Sequence, residues 1–494
     1  MHPEITRALA AERIAALLAE GQRARGAAGS PASQHGSVNA LAGETASVSI
    51  ADVTPPTADR QEADTTSWVP AGLAVAAVAW GANQFPPLLL IYRQRLHLSA
   101  AIADATFGLY AAGLIPALLI GGHLADRYGR RRILVSALAV SFPATLSLIA
   151  GGGSLPMLSI GRLLSGIASG LAFGAGAAWI KELSATPGQL NAGARRATIA
   201  MTFGFAGGPL VAGLTAQWGP WRWGLPYLPH LVLTVLAIPV IATAQETRGH
   251  GRARAPRSRL PLTQMQRRRY LTLILPMAPW VFASAAIGLA YLPGLIDQRL
   301  HSHALLFTTL MVALTAAAGI AVQPGARRLA HHDARWLLVG ALTTVTAGLV
   351  AASAAASTMS IPLAMASAAV LGAGYGACQV HGLQEVQLTA PAERLASMTA
   401  TYQAASYLGF AAPFLLAYAQ RIESPQRLLL LLAMLAITTT ITAAVQEVRT
   451  RPPRPRPPGA GPRPSPWLGA PPRPRPQAEL ERRSARSPTG LNAH

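Results

Sequence analysis

The segment Gly121–Arg132, GGHLADRYGRRR, carries one acid and four arginines. Arginine binds phosphates and carboxylates through paired hydrogen bonds, so this run fits a nucleic acid, a phosphorylated ligand or an acid of the same chain. The whole chain is basic, with 41 Lys and Arg against 20 Asp and Glu and a net charge of +21. In a soluble protein this imbalance indicates an acidic partner such as nucleic acid. Which of these partners the arginines bind depends on the secondary-structure elements that carry them.

Those elements are predicted to be membrane helices. Only 12% of the residues are charged and 51% are hydrophobic, which is too little charge to cover a soluble domain. From Trp68 onward, apolar stretches of about 20 residues recur, each long enough to cross a hydrocarbon layer of about 30 Å as a helix. The sequence predicts an all-α membrane protein with twelve transmembrane helices, whose approximate cores are 68–91, 102–122, 133–151, 155–182, 197–218, 224–244, 270–296, 304–323, 336–356, 359–385, 395–419 and 426–445.

The distribution of cations among the loops predicts an orientation. Most loop arginines fall on the side of the membrane that holds the amino terminus, and the alternating loops carry few. Cytoplasmic loops are enriched in Lys and Arg, so we expect a multi-pass protein of the cell membrane with both termini in the cytoplasm. Topology then accounts for most of the basicity, and no nucleic-acid partner is expected.

The sequence divides into five segments. We expect an amino-terminal cytoplasmic extension at 1–67, a six-helix bundle at 68–245, a basic central loop at 246–269, a second six-helix bundle at 270–446, and a Pro/Arg-rich cytoplasmic tail at 447–494. The two bundles repeat one another at offsets of roughly 203 to 206, a pattern found in secondary transporters. The matching pairs are Pro87 with Pro293, Pro209 with Pro413, Gln217 with Gln420, and Glu182 with Glu385.

The opening segment lies at the end of the second predicted span. It resembles the GxxxDRxGRR motif of the major facilitator superfamily, with matches at Gly122, Asp126, Arg127, Gly129, Arg130 and Arg131. The resemblance implies a gate in which Asp126 faces the amino-terminal end of the eleventh span when the cavity opens outward. An acid there gains about 0.3 to 1 kcal/mol from the helix dipole. In the second half, LAHHDAR puts His331 in the position of Asp126, so the second gate element is degenerate. The alternative is an arginine-rich loop without a gate role.

Two further segments resemble motifs of the same superfamily. GRLLSGIASG at 161–170 resembles gRxxqGxgaa through Arg162 and Gly166, with Ser165 where glutamine is common. We place Arg162 in the outer part of the fourth span, where a functional role and a structural pairing role both stay open. The fifth span resembles GxxxGPxxGG, associated with drug/proton antiporters, through Gly204, Gly208, Pro209 and Gly213. These residues suit a hinge or a tight seal, and ordinary close packing is the alternative.

A proton-coupled carrier needs a group that changes protonation as it moves between the two faces. The candidates near span ends are Asp104, Glu182, Asp297, His381 and Glu385, and we expect water to solvate most of them. Asn83 and Gln84 form the deepest polar pair and do not titrate. They are candidates for binding substrate or for hydrogen bonding to a neighbouring helix.

The resemblance covers roughly residues 68–446 and implies a secondary active transporter. We expect proton-coupled efflux of drugs or metabolites by alternating access, with a small-molecule substrate, protons and the lipid bilayer as partners of a monomer. An uptake carrier or facilitator is the main alternative, and a membrane-embedded enzyme is another. The chain has one cysteine, Cys378, and lacks DxD, HExxH and GxxxxGK[ST] motifs. We therefore expect no cofactor, no metal and no enzymatic activity.

Overall fold

The computed structural model describes residues 67–184, 192–247, 262–296, 303–391 and 394–450, together with Leu300. All of them belong to one compact unit of the chain, Gln61–His494. The predicted amino-terminal extension, most of the central loop, Asp297 and nearly all of the tail lie outside the described residues. Within the described part, every regular element is a helix.

The first half of the chain forms six long helices. They are α1 Val69–Arg95, α2 Ala100–Tyr128, α3 Arg130–Ala150, α4 Leu155–Leu183, α5 Ala192–Trp218 and α6 Leu225–Ala242. α1 is interrupted by a 3-10 turn at Pro86–Leu88, where two successive prolines remove backbone donors. Each helix corresponds to one of the predicted spans, and no predicted span extends more than two residues beyond its helix.

The second half repeats this arrangement. Its helices are α7 Gln264–Ile296, α8 Ala304–Ala330, α9 Ala334–Thr358, α10 Ile361–Thr389, α11, which consists of Leu395–Tyr407, Leu408–Ala411 and Ala412–Ala419, and α12 Pro425–Thr450. All of the twelve except α11 are single segments long and apolar enough to cross a membrane. The described residues therefore form an all-α bundle of twelve helices.

α11 differs from the prediction of one continuous span at 395–419. Its middle is a 3-10 turn around Gly409, and Pro413 cannot donate a backbone hydrogen bond to the Gly409 carbonyl. A Cβ at Gly409 would collide with Pro279 O and Ala283 N of α7. The break thus lies where α11 and α7 are closest. α7 also differs from the prediction, because it begins at Gln264 with a capping box from Thr263, six residues before the predicted start of the seventh span at 270.

Two hydrophobic cores fill the bundle, one in each half. α2, α3 and α4 pack together in the first, as α8, α9 and α10 do in the second. Between the halves, α2 packs along α11 and α5 packs along α8. We call the face that contains the turn between α2 and α3 at Gly129 the motif face, and the other side the opposite face. Gly129 has φ +100°, a conformation that favours glycine.

Candidate functional site

The arginine-rich segment forms a charged cluster at the motif face. Arg130 lies 2.9 Å from Asp126 and 3.4 Å from Glu182 at the end of α4. The backbone N–H groups of Arg130 and Arg131 donate to Glu246 at 3.1 Å. α3 starts at Arg130, so Glu246 occupies the position where a helix amino terminus stabilises an anion. The cluster connects α2, α3 and α4 to Glu246 in the segment after α6.

Asp126 does not reach α11 in this structure. Its side chain is 68% exposed and pairs only with its own turn through Arg130 among the described ion pairs. The contact with α11 that the resemblance implies is not made in this structure. His331, its counterpart in the second half, lies in the helix Gln323–His332, but its side chain is outside the described residues.

Two glycines related by the internal repeat lie in open space at the motif face. A Cβ added at Gly122, or at Gly325 in the second half, would meet no atom within 4 Å. The buried residues of the second half that join the core of the first half are central or at the opposite face, and these are Ala286, Ala290, Leu305, Tyr407 and Phe410. Among the described residues, the shared core of the two halves therefore lies away from the motif face.

The opposite face is sealed by contacts between the halves. Arg93 Nη1 donates to Gly294 O at 3.3 Å, which links the ends of α1 and α7. A Cβ at Gly108 would lie 3.1 Å from Phe410 O, and one at Gly213 would collide with Thr309. These close contacts connect α2 to α11 and α5 to α8. The described contacts therefore close the opposite face.

A cavity of about 120 Å³ lies inside this seal, bordered by both halves. Asp104 and Arg93 line it from the first half, and Tyr291, Thr308 and Gln420 line it from the second. Gln420 Nε2 donates to Tyr291 Oη at 2.7 Å. Opening of the opposite face would separate these walls and admit water to every polar group in the cavity.

Asp104 corrects one expectation. The sequence places it near the outer start of α2, where we expect water to solvate it, yet only 6% of the residue is exposed. α11 packs across the beginning of α2 and covers it. A buried carboxylate needs a compensating charge or hydrogen bonds, and Arg93 is the charged residue that shares its cavity.

Arg162 lies within a cage of aromatic rings in the first half. Its guanidinium carbon is 4.5 Å from the ring centre of Phe85, 4.8 Å from Tyr110 and 5.7 Å from Phe107. Nη2 donates to Phe107 O at 2.9 Å, and Nη1 donates to Ala82 O at 3.4 Å. Only 1% of Arg162 is exposed, and its Nε has no hydrogen-bond partner. Carbonyls and ring faces thus stabilise this buried cation.

Glycines of two predicted motifs allow neighbouring helices to touch. A Cβ at Gly166 of α4 would collide with Tyr110 O of α2. In α5, a Cβ at Gly204 would collide with Ala76 O, and one at Gly208 would lie 2.7 Å from Trp80 O, both on α1. Pro209 lies inside α5. The antiporter-like motif therefore forms a close seam between α5 and α1, which Gly213 extends to α8.

Asn83 and Gln84 do not act as one pair. Asn83 Nδ2 donates to Ala79 O of its own helix at 3.0 Å. Gln84 is fully buried, and its Nε2 lies 3.4 Å from Thr145 Oγ1 on α3. Thr145 Oγ1 is in turn 2.8 Å from His230 Nδ1 on α6. Gln84 thus belongs to a network that links α1, α3 and α6.

His230 is the centre of that network and was not among the candidate residues predicted from the sequence. Its Nε2 lies 3.3 Å from Ser141 Oγ and 3.1 Å from Thr234 Oγ1, and the residue is fully buried. The available signal was a single histidine inside the apolar sixth span. Three hydroxyl partners account for both ring nitrogens, as a neutral buried imidazole requires.

A second charged cluster lies inside the second half at the motif face. Arg269 Nη2 lies 2.7 Å from Glu385 Oε2 on α10 and 2.6 Å from Glu447 Oε2 on α12. His381, one turn before Glu385, is 1% exposed, and neither of its ring nitrogens has a hydrogen-bond partner. The expectation of solvation near helix ends is therefore wrong for Glu385 and His381, because α7 and α12 cover this face of α10.

Arg269 and Glu447 were also missed from the sequence. Glu447 follows Glu246 at an offset of 201, close to that of the internal repeat, and this spacing was the available signal. In the first half, Glu246 binds backbone N–H groups of α3, whereas Glu447 binds a side chain of α7. Within the described residues, no group of three or more His, Cys, Asp or Glu could hold a metal ion, and Cys378 is a buried free thiol.

Comparisons with known proteins agree with this architecture. The chain is 29% identical over 146 residues to a glucose transporter of Staphylococcus epidermidis. It is 37% identical over 107 residues to a 3-(3-hydroxy-phenyl)propionate transporter of Escherichia coli, and 28% identical over 138 residues to sugar efflux transporter A of Escherichia coli. These matches cover 28%, 22% and 28% of this chain, and only 32%, 24% and 34% of the relatives.

The fold matches nearly the full length of a solved structure. A crystal structure of the nucleoside transporter NupG superposes with a TM-score of 0.62 at 10% identity, covering 77% of this chain and 99% of that one. The sequence profile of the Major Facilitator Superfamily matches residues 71–414, most of the chain. This protein is a member of the major facilitator superfamily, a multi-pass membrane transporter with twelve helices in two six-helix repeats.

Proposed function

We propose that this chain is a proton-coupled carrier that exports small molecules, drugs or metabolites, by alternating access. One observation carries the proposal: the halves meet at the opposite face around a partly polar cavity, while Gly122 and Gly325 lie in open space at the motif face. A carrier must expose one central site to each side in turn, and rocking of one half against the other does this.

The motif-face cluster is proposed as a gate. In the observed state Asp126 is exposed and Gly122 faces open space. Closure of this face would bring the end of α2 toward the start of α11, where Asp126 would meet the positive end of a helix dipole. That contact is worth about 0.3 to 1 kcal/mol, which changes the ratio of two states by about two- to fivefold.

Asp104 is the group that we propose to couple the cycle to protons. It borders the cavity that both halves enclose, and its burial depends on closure of the opposite face. An ionised carboxylate is costly to bury, so protonation favours the closed state and hydration favours the open one. Arg93 is the charged residue that shares this cavity. His381 and Glu385 remain the second candidates.

The direction of transport rests on the motif of α5. The seam of Gly204 and Gly208 against α1 resembles that of drug/proton antiporters, and a tight seam limits leakage of protons. We propose that both termini are cytoplasmic, that the motif face is the cytoplasmic one, and that the protein acts as a monomer in the cell membrane. Uptake is the alternative, since the relatives include a protein named as a glucose transporter and one named for sugar efflux.

Transport by the purified protein in everted vesicles tests the proposal. A panel of antimicrobials, sugars and aromatic acids is offered with and without an imposed proton gradient. Export by antiport predicts accumulation inside everted vesicles that requires an acidic interior. Accumulation only in right-side-out vesicles would favour the uptake carrier, and no gradient dependence for any compound would contradict proton coupling.

The coupling residue is tested separately with Asp104→Asn. We expect loss of gradient-driven accumulation with retention of substrate exchange at equal concentrations on both sides, because the neutral amide removes the proton step and leaves the substrate path. Thr308→Val is the matched control, since Thr308 lines the same cavity without titrating. Gradient-driven accumulation at the wild-type level by Asp104→Asn would refute the role of Asp104.

A further inference from the structure

Two amide side chains meet on the inner side of the second half. Gln379 of α10 donates through Nε2 to Gln403 Oε1 of α11 at 3.1 Å. Both side chains are half-buried. The remaining oxygen, Gln379 Oε1, is buried and has no hydrogen-bond partner. A buried carbonyl without a donor is unfavourable, so this atom would be stabilised by the hydroxyl or N–H of a molecule that enters the bundle.

Aromatic rings flank the amide pair. Tyr375 precedes Gln379 by one helical turn and therefore lies on the same side of α10. The ring centre of Phe282, near the middle of α7, lies 5.5 Å from that of Tyr375. Phe282 is stacked on Tyr407 with ring centres 4.2 Å apart and planes at 13°. It packs against the cores of both halves. These rings therefore lie where the halves meet, which is where a carrier holds its substrate.

Two buried charges of the described bundle, Arg162 and Glu385, are held by other groups. Arg162 is enclosed by three rings and two carbonyls and is 1% exposed. Glu385 is already paired with Arg269 at 2.7 Å, and it lies six residues from Gln379, about 9 Å along the helix. An anionic or cationic ligand would meet amides and ring faces without a counter-charge.

We propose that Gln379, Gln403, Tyr375 and Phe282 form the substrate site, and that its ligand is a neutral, polyhydroxylated ring compound such as a sugar or glycoside. Each amide offers both a donor and an acceptor, which suits hydroxyl groups. The aromatic faces cover the apolar face of the ring. This inference rests on the proposed transport function, because it names the ligand that alternating access would expose to each side in turn.

Binding to the purified protein in lipid nanodiscs tests the site without any gradient. The probes are phenyl glucoside, phenylpropionate and tetraphenylphosphonium, which share a phenyl group and differ in charge. Isothermal titration calorimetry should give the lowest Kd for the neutral glucoside. Gln379→Leu and Gln403→Leu should each raise that Kd by roughly tenfold to a hundredfold, the effect of losing a buried hydrogen bond.

Matched substitutions elsewhere in the same helices serve as controls. Gln384→Leu removes an amide of α10 that donates to Ala330 O instead, and Phe414→Leu removes a ring of α11 that pairs with Tyr418. Both should keep the wild-type Kd. Phe282→Leu should weaken binding and Phe282→Tyr should retain it, a second test if Gln379→Leu is poorly folded.

The outcomes separate the site from the transport mechanism. Tighter binding of either charged probe, no binding of phenyl glucoside by the wild type, or unchanged binding by the Gln379 and Phe282 variants would overturn the site. Glucoside binding without gradient-driven movement would instead contradict proton coupling and leave the site intact. Gradient-driven movement of other compounds without glucoside binding would contradict the site alone.

Discussion

Replacement of Arg269 by leucine should destabilise the second half far more than the loss of an ordinary surface arginine. Arg269 is 12% exposed and pairs with two carboxylates, Glu385 at 1% and Glu447 at 6% exposure. Removing one partner of a buried ion pair costs about 3 to 5 kcal/mol, because the remaining charge is left buried and unpaired. Here two carboxylates lose their partner, so we expect a loss at the upper end of that range.

The loss in free energy of unfolding depends on which residue of the cluster is replaced. Glu385→Gln keeps the Arg269 to Glu447 pair and leaves an amide that still accepts a hydrogen bond, so the expected loss is only about 1 to 2 kcal/mol. Replacing all three residues, Arg269→Leu with Glu385→Gln and Glu447→Gln, removes every charge of the cluster. That triple variant should regain most of the stability lost by Arg269→Leu.

The free energy of unfolding can be measured by denaturant titration of the purified protein in detergent micelles, with Tm as a second readout. Arg427→Leu is the matched control, because its pair with Glu423 spans 3.3 Å between side chains that are 74% and 40% exposed. Such a pair contributes about 0 to 1 kcal/mol. If Arg269→Leu cost no more than Arg427→Leu, or if the triple variant were as unstable as the single one, the buried-charge reasoning would be refuted.

Three further predictions concern the gate, the helix seam and the tail. Asp126→Asn should lower gradient-driven export in everted vesicles by about two- to fivefold, the change in state ratio that its helix-dipole contact gives, and Arg162→Ala should abolish it. Membrane insertion, followed by immunoblot of the membrane fraction, should stay normal in both, and wild-type export by both would contradict the motif-based mechanism. Gly208→Ala should lower the free energy of unfolding by about 1 to 3 kcal/mol, because its Cβ would lie 2.7 Å from a backbone oxygen of α1 and force the helices apart. Gly340→Ala, whose Cβ meets nothing within 4 Å, should be neutral or stabilising, and equal effects of the two would argue against a tight seam. Deletion of residues 451–494 should leave vesicle transport unchanged, and loss of transport with normal insertion would show that the tail takes part in it.

Local properties of the sequence were enough to predict the twelve helices. The length and hydropathy of each apolar stretch are set by neighbours in the chain, so the predicted cores agree with the observed helices to within a few residues at most ends. One exception has a local cause, and the other has both a local and a tertiary cause. α7 gains a capped start at Thr263, and α11 is broken at Gly409 by its approach to α7 and by Pro413.

Partners across helices could not be predicted in the same way. Asp104 and Glu385 both lie near helix ends, where depth alone indicates contact with water, yet α11 covers one and α7 and α12 cover the other. His230 was not predicted as a site residue, because a single histidine in an apolar span gives no pattern. Its three hydroxyl partners come from two helices. The side to which a helix turns a residue depends on packing against its neighbours, which hydropathy does not report.

The sequence by itself therefore determined the membrane character, the number and ends of the helices, the internal repeat and the family motifs, because each depends on residues close together in the chain or on spacing along it. Only the tertiary structure decided that the two halves meet at the opposite face. The contact of Gln379 with Gln403, and those of Arg269 with Glu385 and Glu447, are likewise decided only by the tertiary structure. Those facts depend on how helices far apart in sequence pack, and one sequence must be compatible with both states of a carrier.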